Sequence, residues 1–207
     1  MISVWQVNSI WVPTQDWYLL WAEYLQAGHS LYSDFSFPFP PLYVEIYRLL
    51  LLFPDPLLAS RIFNLLMFVA LSVSLFKLSA LFLRKQFSAL MVFGLMVAFA
   101  SDPTNTIGGY WEFAAALSTV GIYLFLRNRS PVDLYISLCL ISLASLVKQN
   151  FVAVTFVIIL GVALSDANSN SKYRIKRVLI ALSGAGTIYS LLLVYLLMNR
   201  NFEGFFR

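Results

Sequence analysis

Residues 57–83 read LLASRIFNLLMFVALSVSLFKLSALFL. A helix needs about 20 consecutive apolar residues to cross the hydrocarbon core of a bilayer, and this stretch exceeds that length. Its two internal cations, Arg61 and Lys77, stand near opposite ends, where long side chains can extend to the membrane surface. The stretch therefore predicts a membrane-spanning helix.

The rest of the chain repeats this pattern. The chain is 60% hydrophobic and only 12% charged, with a mean hydropathy of +0.77, which excludes an ordinary soluble globular protein. Two of the later apolar stretches are short for a full crossing, and we expect them to tilt or to extend into their loops. The sequence predicts an all-α polytopic bundle of about six spanning helices. The five further spans are predicted at residues 87–101, 110–126, 132–147, 151–164 and 178–197.

The positive charges indicate how this bundle is oriented. Arg84 and Lys85 form one short run, Arg127 and Arg129 a second, and residues 172–177 a third. If the predicted spans alternate in direction, all three runs lie on the same side, and short Lys/Arg-rich loops stay in the cytoplasm. This bias also explains the net charge of +4, so no nucleic-acid partner is expected.

The first 56 residues are predicted to form a separate outer segment, followed by the transmembrane bundle at 57–207. Residues 16–26 (DWYLLWAEYLQ) have apolar side chains at the spacing of an amphipathic helix, which we expect to lie on the membrane surface and to end at Gly28. After the FPFPP turn, a second short helix is predicted at 42–53, ending before the Pro-Asp-Pro run at 54–56.

Three charged residues fall on the outer side, opposite the basic runs: Asp16, Glu112 and Lys148. Two acids and a cation on one face of a membrane indicate a reaction site. Each also has a structural interpretation. Asp16 is favoured in a first helical turn by the helix dipole, Glu112 lies at the membrane boundary, where an acid costs less than in the core, and Lys148 suits a solvated loop.

Other candidates stand near this face. His29 is more typical of a turn than of a catalytic base. Trp17 belongs to a set of outer tryptophans, which either form an interfacial belt or stack on sugar. Arg61 could pair with Asp55 or with a lipid phosphate.

Several stretches around these candidate residues resemble the sequence pattern of a known family. The segment Asp16-Trp-Tyr-Leu-Leu-Trp-Ala-Glu-Tyr-Leu-Gln-Ala-Gly, followed by Pro40-Pro41-Leu42-Tyr43, resembles the first outer loop of GT-C type membrane glycosyltransferases. This family is related to protein O-mannosyltransferases and to the aminoarabinose transferase of lipid A. The resemblance continues in Gly109-Tyr110-Trp111-Glu112-Phe113 and in Leu146-Val147-Lys148-Gln149-Asn150.

The resemblance implies transfer of a sugar from a polyprenyl-phosphate carrier to a lipid or glycan acceptor, outside the cytoplasmic membrane of a prokaryote. In that case Asp16 would be the base, Glu112 a second acid and Lys148 the cation for the lipid phosphate, with Arg61, His29 and Trp17 as further substrate-binding residues. Some relatives use a divalent metal, for which Asp16 and Glu112 would be the ligands, although nothing in this sequence requires one.

The chain departs from the family in several respects. No spanning stretch precedes Asp16, and Phe39 stands where the family commonly has a lysine before the paired prolines. We expect the chain to correspond to the N-terminal portion of such an enzyme. The alternative is a non-catalytic GT-C-like scaffold or accessory subunit. A small transporter is less favoured, because its polar groups should lie near the midplane and its sequence should repeat.

Overall fold

The computed structural model of the chain describes residues 13–32, 34, 39–101, 109–127, 130–165, 171–199 and 205. Within these ranges it contains eight α-helices, one 3₁₀ turn and no β-strand, so the all-α prediction is confirmed. The predicted outer tail at 1–12, the inner loop at 166–170 and Arg129 lie outside the described residues. The helices are α1 (Pro13–Gln26), α2 (Leu42–Leu50), α3 (Pro56–Ser79), α4 (Lys85–Ser101), α5 (Tyr110–Arg127), α6 (Pro131–Ser145), α7 (Val152–Ser165) and α8 (Ser171–Met198), and the 3₁₀ turn is Gln149–Phe151.

Two of these helices, α3 and α8, are long and apolar enough to cross a bilayer. They contain most of the predicted spans at 57–83 and 178–197. The shorter apolar helices α4, α6 and α7 correspond to three other predicted spans. Because only two of the described helices have the length and hydropathy of a full crossing, the six predicted crossings stay a prediction.

Several helix boundaries differ from the predicted ones. The largest difference is in α8, which begins at Ser171, so the basic run at 172–177 is helical and not a loop. Lys and Arg are good helix formers, and their long side chains reach water from a helix surface. Helix α1 begins at Pro13 and not at Asp16, because proline is well tolerated in a first turn. Helices α2 and α3 end earlier than predicted, at Leu50 and Ser79.

The bundle is centred on α6, which packs against α5 on one side and α8 on the other. Both contacts occur at a glycine. A Cβ atom at Gly121 would lie 2.9 Å from the carbonyl oxygen of Ser137, and one at Gly184 would lie 2.6 Å from that of Tyr135. The absence of a side chain at these two positions therefore allows close packing, as small residues do at many transmembrane helix contacts.

The connections place chemically different residues at the two ends of the bundle. The aromatic end comprises α1, α2, the start of α5 and the residues that follow α6, and it is held together by ring contacts between Tyr18, Tyr43 and Tyr110. The basic end comprises the end of α5 and the starts of α4, α6 and α8. Since α5 and α6 run in opposite directions, Glu112 and Lys148 both lie at the aromatic end.

The exposed surface of the bundle is much more apolar than that of a soluble protein. The buried positions include many small or polar residues, such as Ser60, Asn64 and Ser74 in α3. The exposed positions of the same helix are large and apolar, among them Ile62 and Leu66. An aqueous surface would penalise this arrangement, whereas small and hydroxyl side chains are typical of helix contacts within lipid.

The glycine contact between α6 and α8 gives a first prediction. Gly184→Ala should lower the free energy of unfolding by about 1–3 kcal/mol, since its Cβ must displace the backbone of Tyr135. The control is Gly186→Ala, two residues along the same helix, where a Cβ meets nothing within 4 Å. Thermal unfolding of both variants in one detergent measures the difference, and equal midpoints would contradict the close approach.

Candidate functional site

Glu112 lies in the first turn of α5 and is 92% shielded from solvent, with a relative exposure of 8%. The backbone N–H of Gly109 donates a hydrogen bond to its Oε2 atom at 2.8 Å. A glutamate three residues after the start of a helix commonly reaches back in this way to cap the helix. Glu112 therefore has a structural role, and that role also fixes the direction of its carboxylate.

Lys148 stands between the end of α6 and the 3₁₀ turn. Its Nζ atom lies 2.9 Å from the centroid of the Trp111 ring and 5.2 Å from that of Tyr110. Indole faces attract cations through their quadrupole, so this contact positions the ammonium beside the start of α5. Partial burial lowers the pKa of Lys148 below the usual range of a lysine. The structure thus brings Lys148 next to Trp111, which precedes Glu112 in the chain, whereas a shared reaction site stays a prediction.

Helices α1 and α2 cover this end of the bundle. The Tyr18 ring of α1 lies 4.6 Å from Tyr43 of α2 and 5.9 Å from Tyr110 of α5, measured between centroids. The N–H of Leu42 donates to the carbonyl oxygen of Leu146 at 3.2 Å, which ties the start of α2 to the segment leading to Lys148. Together these contacts hold α1, α2, α5 and the end of α6 in one compact group.

A closed hydrogen-bond network lies beneath these rings. The Tyr43 hydroxyl donates to Oδ1 of Asn64 at 3.0 Å, and Nδ2 of Asn64 donates to the Tyr47 hydroxyl at 3.0 Å. The two hydroxyls are 3.3 Å apart. Burial raises the pKa of both tyrosines, and the charge of Glu112 makes a smaller contribution in the same direction.

The remaining predicted site residues are placed as follows. Asp16 lies in the first part of α1, two residues before the buried Tyr18, and its side chain lies outside the described part of the structure. Trp17 is 62% exposed and makes an edge contact with Trp21. His29 is exposed, 3.9 Å from Asp34 and against the ring of Tyr24, so it occupies a turn after Gly28, whose φ of +94° favours glycine.

Arg61 is in the second turn of α3, at the same end of the bundle. It does not pair with Asp55, whose carboxylate instead accepts a hydrogen bond from the N–H of Leu58 at 2.9 Å and caps the helix. The Nε atom of Arg61 is buried and has no hydrogen-bond partner among the described residues. An apolar cavity of about 470 Å³ opens between α2 and α3, and Arg61 is not among the residues that line it, which are mainly Leu50, Phe53, Leu58, Ile62, Phe63 and Leu66.

Several residues at the aromatic end were not predicted as site residues from the sequence. Tyr43 and Tyr47 are four residues apart in α2, and Asn64 is a lone amide within an apolar stretch, which is a recognisable signal. Glu45 was also missed. Its carboxylate accepts a hydrogen bond from Tyr195 of α8 at 2.6 Å and pairs with Arg48 at 3.2 Å. This contact brings the end of α8 to the aromatic end of the bundle.

The described side chains include no group of three or more His, Cys, Asp or Glu residues that could hold a metal ion. The metal site expected at Asp16 and Glu112 stays a prediction, because the Asp16 side chain lies outside the described part of the structure. The chain matches no protein-family model, no curated protein and no solved structure. Its function therefore has to be argued from the geometry of the aromatic end.

The tyrosine–asparagine network gives a second prediction. Asn64→Leu should lower the free energy of unfolding by about 1–3 kcal/mol, because it leaves two buried hydroxyls without their amide partner. The same substitution at the exposed Asn199 serves as the matched control. Adding Tyr43→Phe and Tyr47→Phe to Asn64→Leu should recover part of the loss, as measured by thermal unfolding. No recovery in the triple variant would argue against the network.

Proposed function

We propose that the chain is part of a multi-pass membrane glycosyltransferase of the GT-C type, with its active face at the aromatic end. The observation on which this rests is that a hydrogen-bonded carboxylate, Glu112, and a cation held against the Trp111 ring, Lys148, lie at the same end of an apolar bundle, beneath two short helices. The order and sidedness of these parts match the family pattern in the sequence. The largely apolar exposed surface, together with the small and hydroxyl side chains among the buried positions, supports the membrane location.

The proposed reaction needs a base and a cation. An acceptor hydroxyl attacks the anomeric carbon, a new carbon–oxygen bond forms, and the bond from that carbon to the phosphate oxygen breaks. The acceptor proton passes to Asp16, and the polyprenyl phosphate leaves with the bonding electron pair. Lys148 offsets the negative charge of that phosphate, while Glu112 orients the acceptor through its carboxylate.

The neighbouring surfaces suit the remaining parts of such substrates. The 470 Å³ cavity between α2 and α3 is almost entirely apolar, as a site for part of a polyprenyl chain would need to be. Arg61 would assist at the lipid phosphate. The exposed ring of Trp17 and the turn at His29 would contact the sugar or the acceptor.

The second candidate is a non-catalytic GT-C-like scaffold. The observation that favours it is that both central charges already have structural contacts: Glu112 caps α5, and Lys148 packs on Trp111. In a scaffold these contacts would be sufficient reason for both residues. The two candidates differ in what happens to activity when the charges are removed.

A third prediction tests the orientation. Single cysteines at Gln149, Lys85 and Lys172, all exposed positions, are introduced after Cys139 is replaced by serine. A membrane-impermeant maleimide should label the Gln149 site in intact cells, and the other two only after permeabilisation, since the basic regions should be cytoplasmic. Labelling of Lys172→Cys in intact cells would overturn both the orientation and the active face assigned from it.

A fourth prediction tests the chemistry. In proteoliposomes supplied with a polyprenyl-phosphate sugar, Asp16→Asn should reduce transfer by about two to four orders of magnitude, the size of a general-base contribution. The control is Glu23→Gln, an exposed acid in the same helix, which should keep nearly full activity. The fold should be almost unaffected in both, because Asp16 in the first turn contributes only about 0.3–1 kcal/mol through the helix dipole, and Glu23 is exposed.

Lys148→Met should act differently, by weakening use of the donor. Loss of a charge-assisted hydrogen bond to the phosphate should raise the KM for the donor by about 10- to 100-fold. Lys77→Met, at an exposed lysine of α3 that lies away from this site, is the control. Full activity in both the Asp16 and Lys148 variants, with unchanged thermal stability, would remove both residues from catalysis, whereas no transfer by the unaltered protein would support the scaffold.

A further inference from the structure

A second cavity lies at the basic end, far from the site described above. Its volume is about 130 Å³, and it opens between the start of α6 and the start of α8. The side chains around it are Ser130, Leu134, Tyr173, Lys176, Arg177 and Ile180. A polar cavity of this size has room for several water molecules, and hence for a phosphate group.

Among the described residues that line this cavity, the charged side chains are all cationic. Lys176 and Arg177 both line it, whereas Asp133, the acid in the first turn of α6, does not. The start of α6 is already capped, because the Ser130 hydroxyl accepts a hydrogen bond from the N–H of Asp133 at 3.1 Å. The attraction for an anion therefore comes mainly from the two cationic side chains and not from the helix end.

The walls of the cavity are apolar on the side of the bundle. Leu134 belongs to a buried cluster with Leu138, Val162 and Ala181, and Ile180 packs against it. Further along α8, Leu179 and Leu182 are exposed on the outer surface. A ligand with a phosphate head and a hydrocarbon tail could place its head between the cations and its tail along α8.

We propose that this cavity binds the phosphate group of an anionic phospholipid from the cytoplasmic leaflet. Basic pockets between spanning helices on the cytoplasmic side suit such headgroups. The inference depends on the membrane orientation proposed above but not on sugar transfer. It assigns a function to the basic run at 172–177 beyond setting the orientation of the chain.

The test compares two variants with equal loss of charge. One is Lys176→Gln/Arg177→Gln, which removes the cations of the cavity, and the other is Lys172→Gln/Arg174→Gln, which removes two cations of the same helix outside it. The purified, delipidated protein is titrated with short-chain phosphatidylglycerol, phosphatidylcholine or inorganic phosphate. Thermal unfolding at each concentration gives the affinity, because a ligand of the folded state raises the midpoint.

Phosphatidylglycerol should bind the unaltered protein, and the cavity variant should bind it at least about 10-fold more weakly than the control variant does, since charge-assisted hydrogen bonds are lost. The conservative variant Lys176→Arg/Arg177→Lys should retain most of the affinity. A stabilisation by inorganic phosphate as large as that by the lipid would instead assign the site to a soluble phosphate.

Equal weakening in the cavity and control variants would overturn the proposal, because it would indicate general attraction of basic residues to an anionic surface. Equal binding of phosphatidylcholine would overturn it as well. The readout requires no enzymatic activity, so it is independent of the glycosyltransferase assay. Cysteine labelling at Lys172 reports separately whether the orientation itself is wrong.

Discussion

The close approach of α6 to its two neighbours is the constraint on which the rest of the structure depends. Gly121 of α5 and Gly184 of α8 leave room for backbone carbonyls of α6, and in return their own carbonyls accept hydrogen bonds from α6 side chains. Ser137 donates to the Gly121 oxygen at 2.8 Å, and Cys139 to that of Gly184 at 3.4 Å. Packing at this distance uses dispersion and hydrogen bonds, which remain effective where water is absent. Because α5 and α6 run in opposite directions, the end of α6 then lies beside the start of α5, and Lys148 lies against Trp111.

Most of the helical architecture could be predicted from the sequence, because long apolar stretches and proline positions are local signals. The pair Asp55-Pro56 marks the start of α3, where the aspartate caps the helix and the proline occupies its first turn. The start of α8 could not be predicted in the same way. Hydropathy changes sharply between the basic run at 172–177 and the apolar run after it, so hydropathy places the start of the helix too late. Both runs are good helix-forming sequences, and the helix therefore continues through both.

The site was predictable only in part, for a similar reason. The number of predicted spans between Glu112 and Lys148 is enough to predict that the two residues share one end of the bundle. The contact of Lys148 with the Trp111 ring depends on how α5 packs against α6, and the network of Tyr43, Tyr47 and Asn64 depends on how α2 crosses α3. That crossing is fixed by contacts between distant parts of the chain, such as Leu42 with Leu146. No sequence pattern around either residue predicts such a contact.

The structural and catalytic interpretations of Glu112 are compatible. A carboxylate at a membrane boundary is costly unless it is hydrogen-bonded, and the N–H of Gly109 supplies such a bond where the helix start leaves donors unpaired. This bond uses one of the roughly four acceptor sites of a carboxylate. A group held in this way is already oriented before a substrate arrives, which is what an acceptor-binding acid requires. The capping bond can therefore both stabilise the start of α5 and prepare the carboxylate for chemistry.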